Sequence, residues 1–174
     1  MTKKEFINRV ANGKRDFLQE FLDILKKGKI PHCVIGGLGV NAYAEPVVSL
    51  DLDIVVDGSR IDGLLSTLRK RWKVKRFANS INVSSAYSDL RIQIQLDPRY
   101  QGFIERATRR NVLGYNIPVA RVEDVLEGKI LAALAPERRP SKRQKDLADI
   151  MRLIEVNKKL EKLLPNSLKK RLQI

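Results

Sequence analysis

Two glycines and two aspartates constrain this chain more than any other feature. Ile35-Gly36-Gly37 is followed, after thirteen intervening residues, by Asp51-Leu52-Asp53-Ile54. Across 50–56 the even positions are all apolar, while the odd ones carry Asp51, Asp53 and Val55. That alternation reads as a strand whose two acids share a face, with Cα atoms ~6.8 Å apart. Burying two like charges on one strand is costly unless a cation offsets them. Carboxylates so placed can share divalent cations that clamp a triphosphate and stabilise the attacking and leaving oxygens. Hard oxygen ligands of this type suit magnesium, or manganese in its place. Gly36 and Gly37 let a backbone pass close to phosphate oxygens that a side chain would block.

The rest of the chain supplies a frame for that corner. Thr2 and Glu5 have capping-box spacing, ahead of Phe6, Ile7 and Val10 at helical intervals. Asn12-Gly13 interrupts, and Phe17, Leu18, Phe21, Leu22 and Leu25 mark a second helix with Gly28 as its C-cap. A strand over 32–35 enters the glycines, and 38–44 reads as helix up to Glu45-Pro46. A helix follows over 61–68. Strands are expected over 74–77, 81–85 and 90–97, with a hairpin turning through Gly114-Tyr115-Asn116. Val122, Val125, Leu126, Ile130, Ala133 and Leu134 form a helical stripe. A basic loop, 136–140, precedes a helix with Ser141 and Gln144 at capping-box spacing. Asn157 caps a last helical stretch ending near Pro165. This order predicts an α/β (α+β) fold, a mixed β-sheet flanked by helices with a helical C-terminal region. The expected division is an N-terminal helical segment over 1–29, a core over 30–120, and C-terminal helices over 121–174, all in one compact unit.

Charge points towards polyanions. Lys and Arg number 34 against 20 Asp and Glu, a net charge of +14 that attracts nucleic acid or gathers small phosphorylated substrates. One cysteine, Cys33, excludes an internal disulfide and a cysteine-based zinc site. The N-terminus has no apolar leader and no stretch reaches membrane-spanning length, so a cytoplasmic location without membrane contact is expected. Trp72 and the four tyrosines lack the spacing of a base-stacking platform.

Taken together, the glycine pair on a strand–turn–helix and the Asp-x-Asp strand resemble the signature of the nucleotidyltransferase superfamily, the DNA polymerase β-like fold. The similarity continues through Asp89-Leu90-Arg91-Ile92-Gln93-Ile94-Gln95-Leu96-Asp97-Pro98. It extends to Lys129 and then Lys145-Asp146-Leu147-Ala148-Asp149-Ile150. The latter looks like the Lys…Lys-Asp-x-x-Asp pattern of the bacterial abortive-infection, toxin-like branch. The resemblance spans about residues 30 to 155. It implies transfer of a nucleotidyl group from a nucleoside triphosphate (NTP) to an acceptor hydroxyl, without identifying the acceptor. The basic charge adds RNA such as transfer RNA (tRNA) as the expected acceptor, as in toxin-like relatives, with an antitoxin as the expected partner. It makes Asp51 and Asp53 the metal ligands and puts Gly36, Gly37, Ser49, Lys129 and Lys145 on the nucleotide. The family's third carboxylate aligns with Gln93, a neutral side chain. Two acids then suffice, or Asp97 is recruited from ~13 Å along the strand, or the site only binds. A non-catalytic nucleotide- or nucleic-acid-binding module, or an antitoxin-type partner protein, is the alternative.

Several residues also have plainer readings. Lys129 lies at the edge of its helix's apolar stripe and can snorkel to water instead of facing phosphate. Asp146 and Asp149 suit a helix start or basic partners. His32 and Cys33 read as structural, and Arg138, Arg139, Lys142 and Arg143 as either a solvated loop or a phosphate-contacting patch.

Overall fold

A computed structural model describes residues 1–174. The Thr2 hydroxyl accepts from the Glu5 amide, and the Glu5 carboxylate accepts from the Thr2 amide, so a full capping box opens α1, Lys3–Val10. Asp16 caps α2, Phe17–Lys27, whose Phe17, Leu18, Phe21, Leu22 and Leu25 are buried. Gly28 stands at its C-cap with φ −77°, and the left-handed residue is Lys29, φ 48°.

The sheet begins with β1, His32–Ile35, which passes directly into α3, Gly36–Val40. The sequence placed this helix over 38–44; it starts at the glycines themselves and gives way to turns after Val40. Then come β2, Asp51–Val56, and α4, Ile61–Leu68. Next are β3, Lys73–Arg76; β4, Ser80–Ser85; and β5, Ser88–Gln95. The last strand stops short of Asp97, because Asp97 caps a 3-10 turn over Pro98–Phe103. The hairpin of β6, Thr108–Val112, and β7, Tyr115–Val119, turns one step earlier than the sequence suggested. Leu113 and Gly114 both take positive φ there, 52° and 91°, the backbone of a tight two-residue hairpin.

The C-terminal third is α5, Val122–Leu134; α6, Pro140–Val156; a 3-10 stretch over Lys158–Leu163 capped by Asn157; and α7, Asn166–Leu172. The expected Ser141–Gln144 capping box does not form. Arg139 is the N-cap and Pro140 the first helical residue, where its fixed φ and missing N–H cost nothing. No helix is long and apolar enough to cross a membrane.

Seven strands form one mixed sheet in the order β3-β4-β5-β2-β1-β7-β6. Strand β2 runs antiparallel to β1 and parallel to β5. The alternate residues Leu52, Ile54, Ile92, Ile94, Ile81 and Val83 are fully buried in a hydrophobic cluster that reaches from Ala11 to Leu168. The interleaved positions on the other face carry Asp51, Asp53, Arg91, Gln93 and Asn82. Burial is what fixes this register, since a slip of one residue would exchange the two sets.

Asp124 is 1% exposed at the start of α5 and is held by Arg106 (2.9 Å) and Arg121 (3.2 Å), themselves 40% and 50% exposed. Removing the anion therefore leaves cations that water can reach. Asp124→Ala should cost about 1–2 kcal/mol in denaturant unfolding, below the 3–5 of a fully buried broken pair.

Candidate active site

The corner where β1 enters α3 is shaped by Gly36. Its φ is +64°, and a Cβ there would stand 2.1 Å from Asp53 Oδ2. Only glycine fits, on both counts. Ile35 is the register partner of Asp53 on β2, and Gln93 is its partner on β5. The position that the family resemblance aligned with a third carboxylate thus lies directly beside Asp53. Beyond Gln93, on β4, lies Asn82, whose Oδ1 is the one buried side-chain polar atom without a hydrogen-bond partner. Leaving such an acceptor unmet costs about 1–3 kcal/mol.

The two aspartates differ in environment. Burial alone would raise the carboxyl of Asp51, but Arg91 and then Lys142 outweigh it and hold it below the usual carboxylate range. Arg91 donates to Asp51 Oδ1 at 2.9 and 2.7 Å, and Lys142 to Oδ2 at 3.3 Å. Asp53 has no such donor. Burial pushes it up, Lys129 offsets part of that, and the Asp51 charge adds to it.

Lys129, 8% exposed, sits where α5 meets α6. Its ammonium binds Asp146 at 3.0 Å and Asp149 at 2.7 Å. Burial disfavours its charge, yet Asp149 and Asp146 more than compensate and its pKa is raised. The snorkelling alternative does not describe it, and its charge is already met by two carboxylates although it lines the cleft. Arg138 holds the other oxygen of Asp146 at 2.8 Å. Arg152 bridges Asp149 at 2.7 Å to Asn41 and to the Glu45 carbonyl. The basic loop is therefore divided in its work: Arg138 and Lys142 turn into the cleft, whereas Arg143 closes the end of α5 on the Ala133 and Ala135 carbonyls.

Gly36, Asp51, Asp53, Gln93 and Lys129 line one cleft, and Gly37, Ser49 and Lys145 line its continuation, which shares both aspartates. The Ser49 hydroxyl exchanges 3.2 Å contacts with the Asp51 backbone, bracing the start of β2. Asp97 is not brought in: it caps the turn after β5 and binds Arg99 at 2.6 Å. His32, at the far end of β1, is bonded to the Ile30 carbonyl, and burial lowers its pKa. Burial pushes the Cys33 thiol up to about 12, so it is inert. The sequence reading gave no part in the cleft to Arg91, Asn82 or Tyr100. Asn82 and Tyr100 carry no motif; Arg91 offered a signal, since its strand alternation puts it on the face of Gln93.

The donor set fits a divalent cation. Asp51 and Asp53 are two hard oxygen donors with an amide oxygen alongside, and no third His, Cys, Asp or Glu joins them. Magnesium commonly takes only one or two protein carboxylates beside water and substrate phosphates.

A seven-stranded mixed sheet with a glycine corner and an Asp-x-Asp strand defines a nucleotidyltransferase fold. Solved structures agree. The chain is similar to ANT(2″)-Ia in complex with adenylyl-2″-tobramycin, with TM-score 0.62 and 14% identity, covering 90% of this chain and 94% of that one. It is similar to the lincosamide antibiotic adenylyltransferase LnuA, lincomycin-bound, with TM-score 0.56 and 15% identity over 81% and 98%. An antigenic nucleotidyltransferase-like protein from Paracoccidioides brasiliensis matches at TM-score 0.57 and 15% identity over 99% and 91%. A comparison with curated protein sequences finds no match. Residues 35–173 match the family described as nucleotidyl transferase AbiEii toxin, Type IV TA system. The chain belongs to this AbiEii family, and nucleotidyl transfer is the general activity to which family and fold point.

Three outcomes follow from these electrostatics. Folding favours the protonated form of Asp53, so its contribution to stability is full below the ordinary carboxylate range and is lost as pH rises through its raised pKa. At neutral pH, without ligand, Asp53→Asn should raise the thermal midpoint by a few degrees. Asp51→Asn, which gives up partly exposed ion pairs, should lower stability by about 1 kcal/mol at most. Matched melting curves check the opposite signs. Lys129→Met should cost about 3 kcal/mol in denaturant unfolding, because it strips a counter-charge from buried Asp146.

Proposed function

We propose that this chain binds a nucleoside triphosphate with magnesium (manganese serving in its place) and transfers the nucleotidyl group to an acceptor hydroxyl on RNA, such as a tRNA. One observation carries the reading: Asp51 and Asp53 stand on one face of β2, with Asp53 against the bend at Gly36 and Gln93 in register beside it.

In this reading Asp51 and Asp53 hold the metal, which when bound supplies charge neutralisation at the attacking and leaving oxygens. The backbone at Gly36 and Gly37 lies against the phosphates. At Gly37 the nearest atom to an added Cβ is Ser49 Oγ at 3.8 Å, so that backbone is open to approach. Arg91 and Lys142 release Asp51 and meet phosphate charge, with Lys145 at the mouth. The acceptor hydroxyl sits by Gln93, whose amide oxygen accepts its hydrogen bond and orients it. A neutral amide is too weak a base to keep that proton, which passes to water. The acceptor oxygen then bonds to the α-phosphorus, the α–β bridging bond breaks, and pyrophosphate leaves. An antitoxin partner accords with the family's description as a toxin of a Type IV TA system, and the proposed place of work is the cytoplasm.

Neutral Gln93 favours one second reading, a module that binds nucleotide without transfer. Incubation with each labelled triphosphate, magnesium and total cellular RNA separates the two. Label should move to RNA, and Asp51→Asn or Asp53→Asn should each reduce transfer at least about a hundredfold. Full activity in both variants would overturn the assignment. Triphosphate binding without transfer, unchanged by Gln93→Asp, would identify the module.

A further inference from the structure

The strand register carries the face of the two acids outward to the edge of the sheet. Asp53 pairs with Gln93, Gln93 with Asn82, and Asn82 with Lys75. In the parallel row, Asp51 pairs with Arg91, Arg91 with Ser84, and Ser84 with Lys73. Register partners present their side chains on the same face. Two lateral rows therefore run from the candidate catalytic corner across β5 and β4 to β3. Three strand spacings make this ~14 Å.

Beyond the two acids every member of these rows is neutral or cationic. Strands β3 and β4 contain no carboxylate, and Asp89, at the start of β5, is engaged by Asn12 at 2.6 Å. Arg91, Lys73 and Lys75 are exposed, and Ser84, Asn82 and Gln93 are half-buried, so this face is open where the opposite one is sealed by the core. Asn82 Oδ1, the unpartnered buried acceptor, lies in the middle of the first row, between Gln93 and Lys75. Past its end, Phe77 is 43% exposed with the Lys75 ammonium 5.0 Å from its ring, leaving an aromatic face on which a base can stack.

We propose that the open face of β5, β4 and β3 is the acceptor track, on which the end of an RNA strand lies. Its terminal hydroxyl is at Gln93, a sugar or base lies over the half-buried Asn82 amide, and the following phosphates rest on Lys75 and Lys73. This assignment rests on the transfer reading above and specifies its substrate class. The same charges repel an acceptor that carries several ammonium groups. RNA and DNA share the phosphodiester backbone that the lysines contact, and the experiment separates them.

The test uses the full chain and a labelled RNA oligonucleotide of about ten nucleotides with a free 3′ hydroxyl, titrated at several salt concentrations. Lys73→Gln/Lys75→Gln should weaken binding about tenfold and flatten the slope of log affinity against log salt by about 1.4, two phosphate contacts on a single strand. Lys26→Gln/Lys27→Gln removes equal charge from exposed positions at the end of α2, next to the start of β1 and away from the corner, and should leave the RNA affinity within about twofold. Equal losses in the two double variants, or no loss in the first, would overturn the track. An oligodeoxynucleotide of the same sequence, run in parallel, assigns the site to RNA if it binds more weakly and to either backbone if it binds alike. Thermal stabilisation by each triphosphate with magnesium should persist in Lys73→Gln/Lys75→Gln. Its absence in the unaltered protein would count against the transfer reading alone, since the RNA titration needs no catalysis.

Discussion

A missing side chain at position 36 is the constraint on which the site depends. Strand β1 must end in a left-handed residue to turn into α3, and β2 must bring Asp53 against that bend through its pairing with Ile35. The carboxylate then lies where a Cβ would be, which is why the position demands glycine for conformation and for space at once. Burial at this corner raises the pKa of Asp53, which still lines the cleft. Close packing at the glycine thus produces the one destabilised charge in the cleft, and a desolvated acid of this kind is the typical mark of a functional position.

The far wall of the cleft is held by a different device. Lys129 on α5 is clamped between Asp146 and Asp149, one helical turn apart on α6, and Arg138 and Arg152 extend the network to the α5–α6 loop and to the turns after α3. Buried charges are tolerated here because each has an opposite partner within 3.0 Å. The network fixes where α6 begins, and so where Lys142, in its first turn, meets Asp51. A lysine read as a phosphate ligand is thus part of the frame. In the proposed reading, phosphate charge falls to Arg91, Lys142 and Lys145, none of which is buried.

The sequence made the corner legible because strand alternation and the glycine pair are local signals. Asp51, Asp53 and Gly36 follow from a period of two residues and one turn, while the alignment of Gln93 with a third carboxylate comes from the family resemblance. Partners across the sheet were not legible. That Arg91 holds Asp51, or that Asn82 lies beside Gln93, depends on β2 and β5 being parallel neighbours with β4 beyond, a topology no local pattern states. Boundaries failed where one side chain decided them. Pro140 displaced the expected cap, Asp97 capped a turn instead of extending β5, and Leu113 took a positive φ that its residue type does not advertise.

Charge balance at the corner bears on how ligands enter. Asp51 and Asp53 contribute two negative charges, and Arg91 and Lys142 two positive ones. A third carboxylate at 93 would sit beside an acid that burial already disfavours as a charge; the amide there avoids that repulsion. Without ligand these four charges balance, and a divalent ion binding at Asp51 alone would have to displace Arg91 and Lys142 from it. In the proposed reading a triphosphate changes that balance, because its oxygens offer those two cations a new partner and free Asp51 for the metal. Each ligand lowers the cost of the other, and by linkage the coupling is mutual. In the proposed transfer reading, neutral Gln93 and the cations on Asp51 then belong together: a corner with two fixed acids relies on the nucleotide to bring its metal.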